Sequence, residues 1–317
     1  MPQITDDIDA VAGRLSAGKL VAIPTETVYG LAADARCDEA VARIFALKGR
    51  PASHPLIVHL ADAKHLDEFA CQIPAPALRL ADAFMPGPLT LLLPRRSQVA
   101  SRAAAGGRLI GLRVPQHKQA RQIIDQAGGA LAAPSANRFG RISPTSAAHV
   151  AAEFPDADDL LIFDGGECQV GIESTIVRVE AERIAIVRPG AIGRMQLSDA
   201  AGCEVNSQVG AGDAPAAPGT LASHYRPQQP LHMAGRREIE TRPADVALID
   251  FSATRPDDRN KLRFGLGREP QAAARNFYAR LRAAEASGCR SIMVAAPPAG
   301  DEWEAVRDRL SRACQKG

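Results

Sequence analysis

The feature that most constrains this chain is a succession of short apolar runs, four to six residues long. They are separated by longer stretches whose apolar residues recur at helical spacing. The runs at 20–24, 55–60, 89–94, 109–114, 130–133, 160–163, 175–180 and 183–188 predict strands. Residues 5–17 predict a helix with Thr5 as N-cap and Ile8, Val11 and Leu15 on one face. Further helices are predicted at 38–47, capped by Asp38, and at 62–70, 76–84, 117–127 and 145–154. Strands mixed with helices require an α/β domain. The runs 175–180 and 183–188 are two residues apart, so part of the sheet should be antiparallel.

The pattern fails over 204–230. VGAGDAPAAPGTLASHYRPQQP is rich in Gly, Ala and Pro and has no apolar period, which is the composition of a connector. A smaller α/β pattern follows, with VALIDF at 246–251, a helix at 270–287, SIMVAAP at 291–297 and a closing helix at 301–314. The expected organisation is a domain over 1–203, a connector over 204–230 and a small α/β domain over 231–317, within usual domain sizes.

Charge narrows the function. The formal net charge of the 317 residues is +2, so no general basic excess serves a long nucleic acid, and any anion site must be local. Six cysteines lie without CxxC spacing, which argues for free thiols in a reducing cytosol over a disulfide framework or zinc site. Met1 leads into acidic residues, unlike a signal peptide, and no apolar run approaches the roughly 20 residues of a membrane span. A cytoplasmic protein is expected.

Six segments carry chemistry. PTETVYGLAADA at 24–35 places Thr25, Glu26 and Thr27 at the end of a strand, where α/β sheets bind ligands. In LKGRPASHPLIVHL at 47–60, Lys48 and Arg50 flank a glycine after a helix and can converge on one anion, with His54 and His59 following. Arg113 interrupts the apolar strand LIGLRV and needs a partner, either a ligand carboxylate or a protein one. AAPSANRFGRISPTS at 132–146 is a turn dense in hydroxyls and amides, suited to an anion nest. GIESTIVRV at 171–179 and IVRPGAIG at 186–193 complete the set. No Walker loop, G-x-G-x-x-G, H-E-x-x-H or G-x-S-x-G occurs. Cations and hydroxyls without a nucleophile–base pair point to positioning and charge neutralisation, as in phosphoryl and nucleotidyl transfer.

In their order along about residues 8–200, PTETVYGLAADA, KGRP, HPLIVH, PGPLTLLL, GLRVP, APSAN, GIESTIV and VRPGAI resemble the threonylcarbamoyl-AMP synthase family, the YrdC-like enzymes of tRNA modification. The trailing domain and PGTLASHYRP resemble the long, two-domain form, although Thr220, Ala222 and Arg226 depart from the usual linker. The resemblance implies a YrdC-like twisted open mixed sheet with helices, plus a smaller Rossmann-like α/β domain. It implies condensation of L-threonine, bicarbonate or CO2, and ATP into threonylcarbamoyl-AMP and diphosphate, with Mg²⁺ carried on the phosphates and held by no side chain. The product would serve proteins that complete threonylcarbamoyladenosine on tRNA.

By position, Lys48 and Arg50 would be catalytic. Arg50, His54, Leu109, Ser135, Asn137, Ser143, Arg188 and Tyr225 would hold ATP, Leu109 only through its backbone or apolar contact. Thr27, His59, Arg113, Ala133 and Ser174 would hold threonine, with Arg113 on its carboxylate. The connector with His224 and Tyr225 is the expected lid. Two rival readings are a double-stranded RNA or tRNA binder, suggested by Arg95, Arg96, Arg102 and Arg108, and a carbamoyl-transferring paralogue like the hydrogenase-maturation carbamoyltransferases.

Overall fold

The computed structural model describes residues 1–181, 183–206, 224–253 and 262–315. Among them, eleven strands form one mixed sheet. Its spatial order is Gln3–Thr5, Leu161–Phe163, Val21–Ile23, Gly30–Asp34, Ala130–Ala132, Ile57–Leu60, Leu109–Arg113, Leu89–Pro94, Thr175–Glu180, Arg183–Arg188 and Val205–Asn206. Both parallel and antiparallel neighbours occur, and Thr175–Glu180 pairs antiparallel with Arg183–Arg188 as the two-residue gap required. A second, all-parallel sheet runs in the order Leu231–Ala234, Ser291–Ala295, Val246–Asp250 and Arg263–Gly265.

Each predicted strand of the larger sheet is present, most of them shorter by a residue or two at an end. The central strand Gly30–Asp34 escapes a reading by propensity because GLAAD lacks β-branched and aromatic residues. Burial inside the sheet selects it instead: a Cβ on Gly30 would lie 3.2 Å from the Ala133 Cβ, so the small residue permits the close approach.

Two helix starts move. Thr5 belongs to the first strand, pairing with Phe163, and Asp7 caps Ile8–Ser16 by accepting from the Ala10 amide. Cys37 occupies the N-cap of Asp38–Lys48, which leaves Asp38 in the first turn, where the helix dipole favours an acid. The segment 62–70 is a 3₁₀ turn Ala63–His65 followed by the short helix Leu66–Phe69.

Most of the expected connector, 207–223 with Thr220 and Ala222, lies outside the described residues. Its C-terminal end is packed tightly, with Tyr225 only 1% exposed. One core lies against the large sheet. A second joins Phe277, Tyr278, Leu281, Ile292 and Leu310 of the C-terminal part to Val28, Ile142, Ile172 and Tyr225. The helices Pro270–Ala286 and Glu304–Cys314 thus complete a core that begins in the first 230 residues. Arg282 pairs with Glu153 at 3.0 Å and Arg141 with Glu285 at 2.7 Å across the same junction.

Candidate active site

Strand ends and loops from across the large sheet converge on one recess. Its geometry starts at Thr25, just beyond the strand Val21–Ile23. The Thr25 hydroxyl donates to the Val28 carbonyl at 2.7 Å and accepts from the Thr27 and Val28 amides, so it shapes the turn that presents Thr27. Thr27 Oγ1 accepts from Arg113 Nη1 at 2.8 Å. Register places His59 and Arg113 side by side on adjacent parallel strands, so both reach the same face.

The partner that Arg113 required is internal. Glu26 Oε1 lies 2.8 Å from Arg113 Nη2, an ion contact without hydrogen-bond geometry, and Glu26 Oε2 accepts from the Gln116 amide. Arg113 also donates through Nε to the Gly87 carbonyl. Both members of the pair are buried. The carboxylate therefore holds the guanidinium rigidly while the Arg113 side chain still lines the recess.

Lys48-Gly49-Arg50 is a helix end. Gly49 has φ 61°, and the amides of Gly49 and Arg50 return to the carbonyls of Ala46 and Phe45 in a Schellman motif. The left-handed glycine sends its two neighbours apart. Lys48 is buried behind the recess, and its ammonium donates to the backbone carbonyls of Ser135 and Asn137. Burial, with Arg50 nearby, pushes its pKa well down. Arg50 lines the recess, anchored to the His54 and Pro55 carbonyls, and sits over the Phe139 ring. Burial lowers its pKa to about 10, and Arg188 adds to the lowering.

Arg188 ends the strand Arg183–Arg188 and donates to the Ser174 carbonyl and hydroxyl. The Ser174 hydroxyl also meets Thr90 Oγ1 at 2.7 Å. The turn after Arg188 needs Gly190, because a Cβ there would lie 2.3 Å from the Thr175 amide nitrogen. Tyr225 closes the recess from the connector side with φ 65°, a strained value for an aromatic residue. Its ring is held among His224, Tyr278 and Arg309.

Of the residues predicted from sequence, Thr27, Arg50, His59, Arg113, Ala133, Ser135, Ser174, Arg188 and Tyr225 line this recess together. Lys48, His54, Leu109, Asn137 and Ser143 do not. Asn137 uses its amide to hold the carbonyls of Arg138 and Arg141. Ser143 is fully buried and donates to Glu173 Oε1 at 2.6 Å, so its oxygen can only accept from a ligand. His54 packs against Phe139 outside the recess. Leu109 lines an adjoining cavity of about 300 Å³ that shares Ile57 with the recess.

Sequence reasoning missed Glu173, Tyr278 and Arg309. Glu173 was legible as a carboxylate inside the apolar run GIESTIV. Arg309 was legible as a cation on the buried stripe Ala305, Val306, Leu310 and Ala313 of its helix. Tyr278 carried no signal beyond ordinary core spacing.

The recess is electropositive. Among the described residues, its lining contains Arg50, Arg113 and Arg188 against one carboxylate, Glu173, whose oxygens already accept from Ser143, Tyr278 and Arg309. That environment holds Glu173 ionised: burial raises its pKa, but Arg309 and Arg188 outweigh it, to about 2. His59 and His224 are both neutral, driven to about 3 chiefly by burial. Among the described residues, His59 Nδ1, His224 Nδ1 and the Tyr225 hydroxyl are buried without a hydrogen-bond partner, which marks polar positions for a ligand.

Comparison with known proteins identifies the family. A family model named for Sua5, YciO and YrdC and described as "Telomere recombination" matches residues 14–190. The model "Threonylcarbamoyl-AMP synthase, C-terminal domain" matches 179–315. The threonylcarbamoyl-AMP synthase of Pyrococcus abyssi is 36% identical over 96% of this chain and 93% of its own length. That of Schizosaccharomyces pombe is 31% identical over 92% and 84%. The crystal structure of P. abyssi Sua5 complexed with L-threonine superposes with a TM-score of 0.86, covering 99% of this chain and 97% of that one. HypF, at 21% identity and TM-score 0.51, shares the fold over 57% of this chain, and the near full-length synthase relatives do not favour the alternative readings. The two family matches, the near full-length relatives and the superposed two-domain structure place the chain in the threonylcarbamoyl-AMP synthase family.

Proposed function

We propose that this recess condenses L-threonine, bicarbonate or CO2, and ATP into threonylcarbamoyl-AMP, for use by proteins that modify tRNA. The observation that carries the reading is the convergence of the buried guanidiniums of Arg50 and Arg188 in a recess whose one carboxylate is already saturated. Such a site lacks negative charge, and a polyphosphate supplies it.

Thr27, His59, Arg113, Ala133 and Ser174 take threonine, with Arg113 aimed at its carboxylate by Glu26. Neutral His59 and the hydroxyls of Thr27 and Ser174 offer hydrogen bonds to the amine and side-chain hydroxyl. Arg50, Ser135, Arg188 and Tyr225 take the phosphates and ribose, and Leu109 flanks the base in the adjoining cavity. The threonine nitrogen forms a bond to the bicarbonate carbon as water leaves, giving a carbamate. A carbamate oxygen then attacks the α-phosphorus, and the bond to the β-phosphate breaks to release pyrophosphate. Arg50 and Arg188 neutralise the charge that moves onto the leaving group.

The nucleotide is expected as its Mg²⁺ complex. The described lining residues offer that ion no free carboxylate, so phosphates and water would hold it. The inner recess measures only about 40 Å³, room for a few waters, with His224 and Tyr225 in place. His224 and Tyr225 border it, which supports a lid role for the described C-terminal end of the connector. A structure of a P. abyssi Sua5 variant with an adjacent His and Tyr both replaced by Ala is known, and His224-Tyr225 is the one adjacent His-Tyr pair in this sequence. The near-neutral net charge gives tRNA binding at most a subsidiary role.

Pyrophosphate release, measured with each substrate omitted in turn, tests the reaction. Release should require threonine, bicarbonate and ATP together; release from ATP alone would refute it.

A further inference from the structure

The deepest charged group outside the expected site belongs to the C-terminal helix Glu304–Cys314. Arg309 is 0% exposed, a rare situation for a guanidinium and a costly one unless every donor is used. Nε donates to Glu173 Oε2 at 2.8 Å, Nη2 to the Pro189 carbonyl at 2.9 Å, and Nη1 to Asp308 at 2.6 Å. Its carbon centre lies 5.5 Å from the Tyr225 ring. Tyr278, on the other C-terminal helix, adds 2.8 and 3.0 Å bonds to the two Glu173 oxygens.

Each of these contacts adjoins a residue of the recess. Glu173 precedes Ser174 and orients the Ser143 hydroxyl. Pro189 follows Arg188. Tyr225 is itself part of the lining. One guanidinium therefore ties together two strand ends and the closing aromatic residue.

From this geometry we infer that Arg309 is a positioning residue for nucleotide binding, so that the C-terminal domain completes the adenylating site. The inference rests on the proposed function above. Docking of that domain does not depend on Arg309 alone, since Arg282–Glu153, Arg141–Glu285 and the shared apolar core also span the junction. Two of the lining residues that Arg309 contacts or adjoins, Arg188 and Tyr225, fall on the proposed ATP side. On the threonine side only Ser174 is involved, and Thr90 holds it independently.

The test compares Arg309→Met, Arg309→Lys and the junction control Glu285→Gln in the full chain. Calorimetric binding of a non-hydrolysable ATP analogue is read beside thermal melting and the KM values. Arg309→Met should weaken analogue binding and raise the ATP KM at least tenfold, with the threonine KM changed less than threefold. Arg309→Lys should melt within a few degrees of the parent and keep the nucleotide defect, because one ammonium cannot reach Glu173, Pro189 and the Tyr225 face together. Glu285→Gln should lose stability and keep nucleotide affinity. Parental analogue affinity in a folded Arg309→Lys protein would overturn the inference. So would a loss in Arg309→Met that falls equally on ATP and threonine and is matched by Glu285→Gln. If the parent chain itself fails to bind the analogue, the proposed function fails instead.

Discussion

Replacing Lys48 with Met separates a group that does chemistry from one that builds the site. Lys48 is 3% exposed, and its ammonium is spent on the carbonyls of Ser135 and Asn137, which hold the loop carrying Ser135 into the recess. Methionine fills similar volume but leaves the Asn137 carbonyl unpaired and the Ser135 carbonyl with only the Asn137 amide, at about 1–3 kcal/mol for the unpaired group. Part of that cost is offset because a desolvated ammonium, whose pKa burial has pushed down, is no longer buried. The expected net loss is about 2 kcal/mol, or a fall in Tm of about 4 °C at roughly 2 °C per kcal/mol for a chain of this size. The same 2 kcal/mol, expressed in a displaced Ser135, lowers kcat/KM for ATP about 30-fold, chiefly through KM. Differential scanning fluorimetry and pyrophosphate-release kinetics on one preparation give both numbers. An unchanged Tm with a kcat reduced more than 100-fold would refute the reasoning and put the Lys48 ammonium on the reacting phosphate.

Other expectations follow from the same geometry. Arg50→Ala removes a buried cation that lines the recess and should raise the ATP KM at least 30-fold, by about 2 kcal/mol or more, with Tm held or raised since Arg188 loses a repelling neighbour; steady-state kinetics with melting checks both. Gly190→Ala forces a Cβ to within 2.3 Å of the Thr175 nitrogen, and urea denaturation should report at least about 2 kcal/mol of destabilisation. Acid should destabilise the protein above the carboxylate range. His59 and His224 have folded pKa values of about 3 against 6.5, so the unfolded chain binds their protons first. Their stabilising effect is complete above pH 6.5 and falls by about 2 kcal/mol each by pH 5, at 1.4 kcal/mol per unit. Denaturation midpoints that are flat from pH 7 to 5 would show that these imidazoles are solvated.

Much of this molecule was legible because the relevant signals are local. The strand runs declared the large sheet, and the Gly49 turn declared a helix end between two cations. The Arg113 strand declared a buried charge in need of a partner, and Glu26, two residues after Pro24, proved to be that partner. What stayed hidden depends on contacts distant in sequence. GLAAD at 30–34 becomes a strand only because the sheet surrounds it. Lys48 looked like a phosphate ligand from charge alone, and only the return of the Ser135–Asn137 loop converts it into a clamp on backbone. Glu173 and Arg309 stand 136 positions apart, and no spacing rule links a carboxylate at a strand start to a guanidinium on the last helix.

The most direct test of the central claim is heteronuclear NMR of the product formed from ¹⁵N-threonine, ¹³C-bicarbonate and ATP. One recess that gathers threonine, carbonate carbon and the α-phosphate should yield an AMP-bearing species in which the ¹³C is bonded to the ¹⁵N, appearing in step with pyrophosphate. Pyrophosphate accumulating without any ¹³C–¹⁵N coupled adenylate would contradict it.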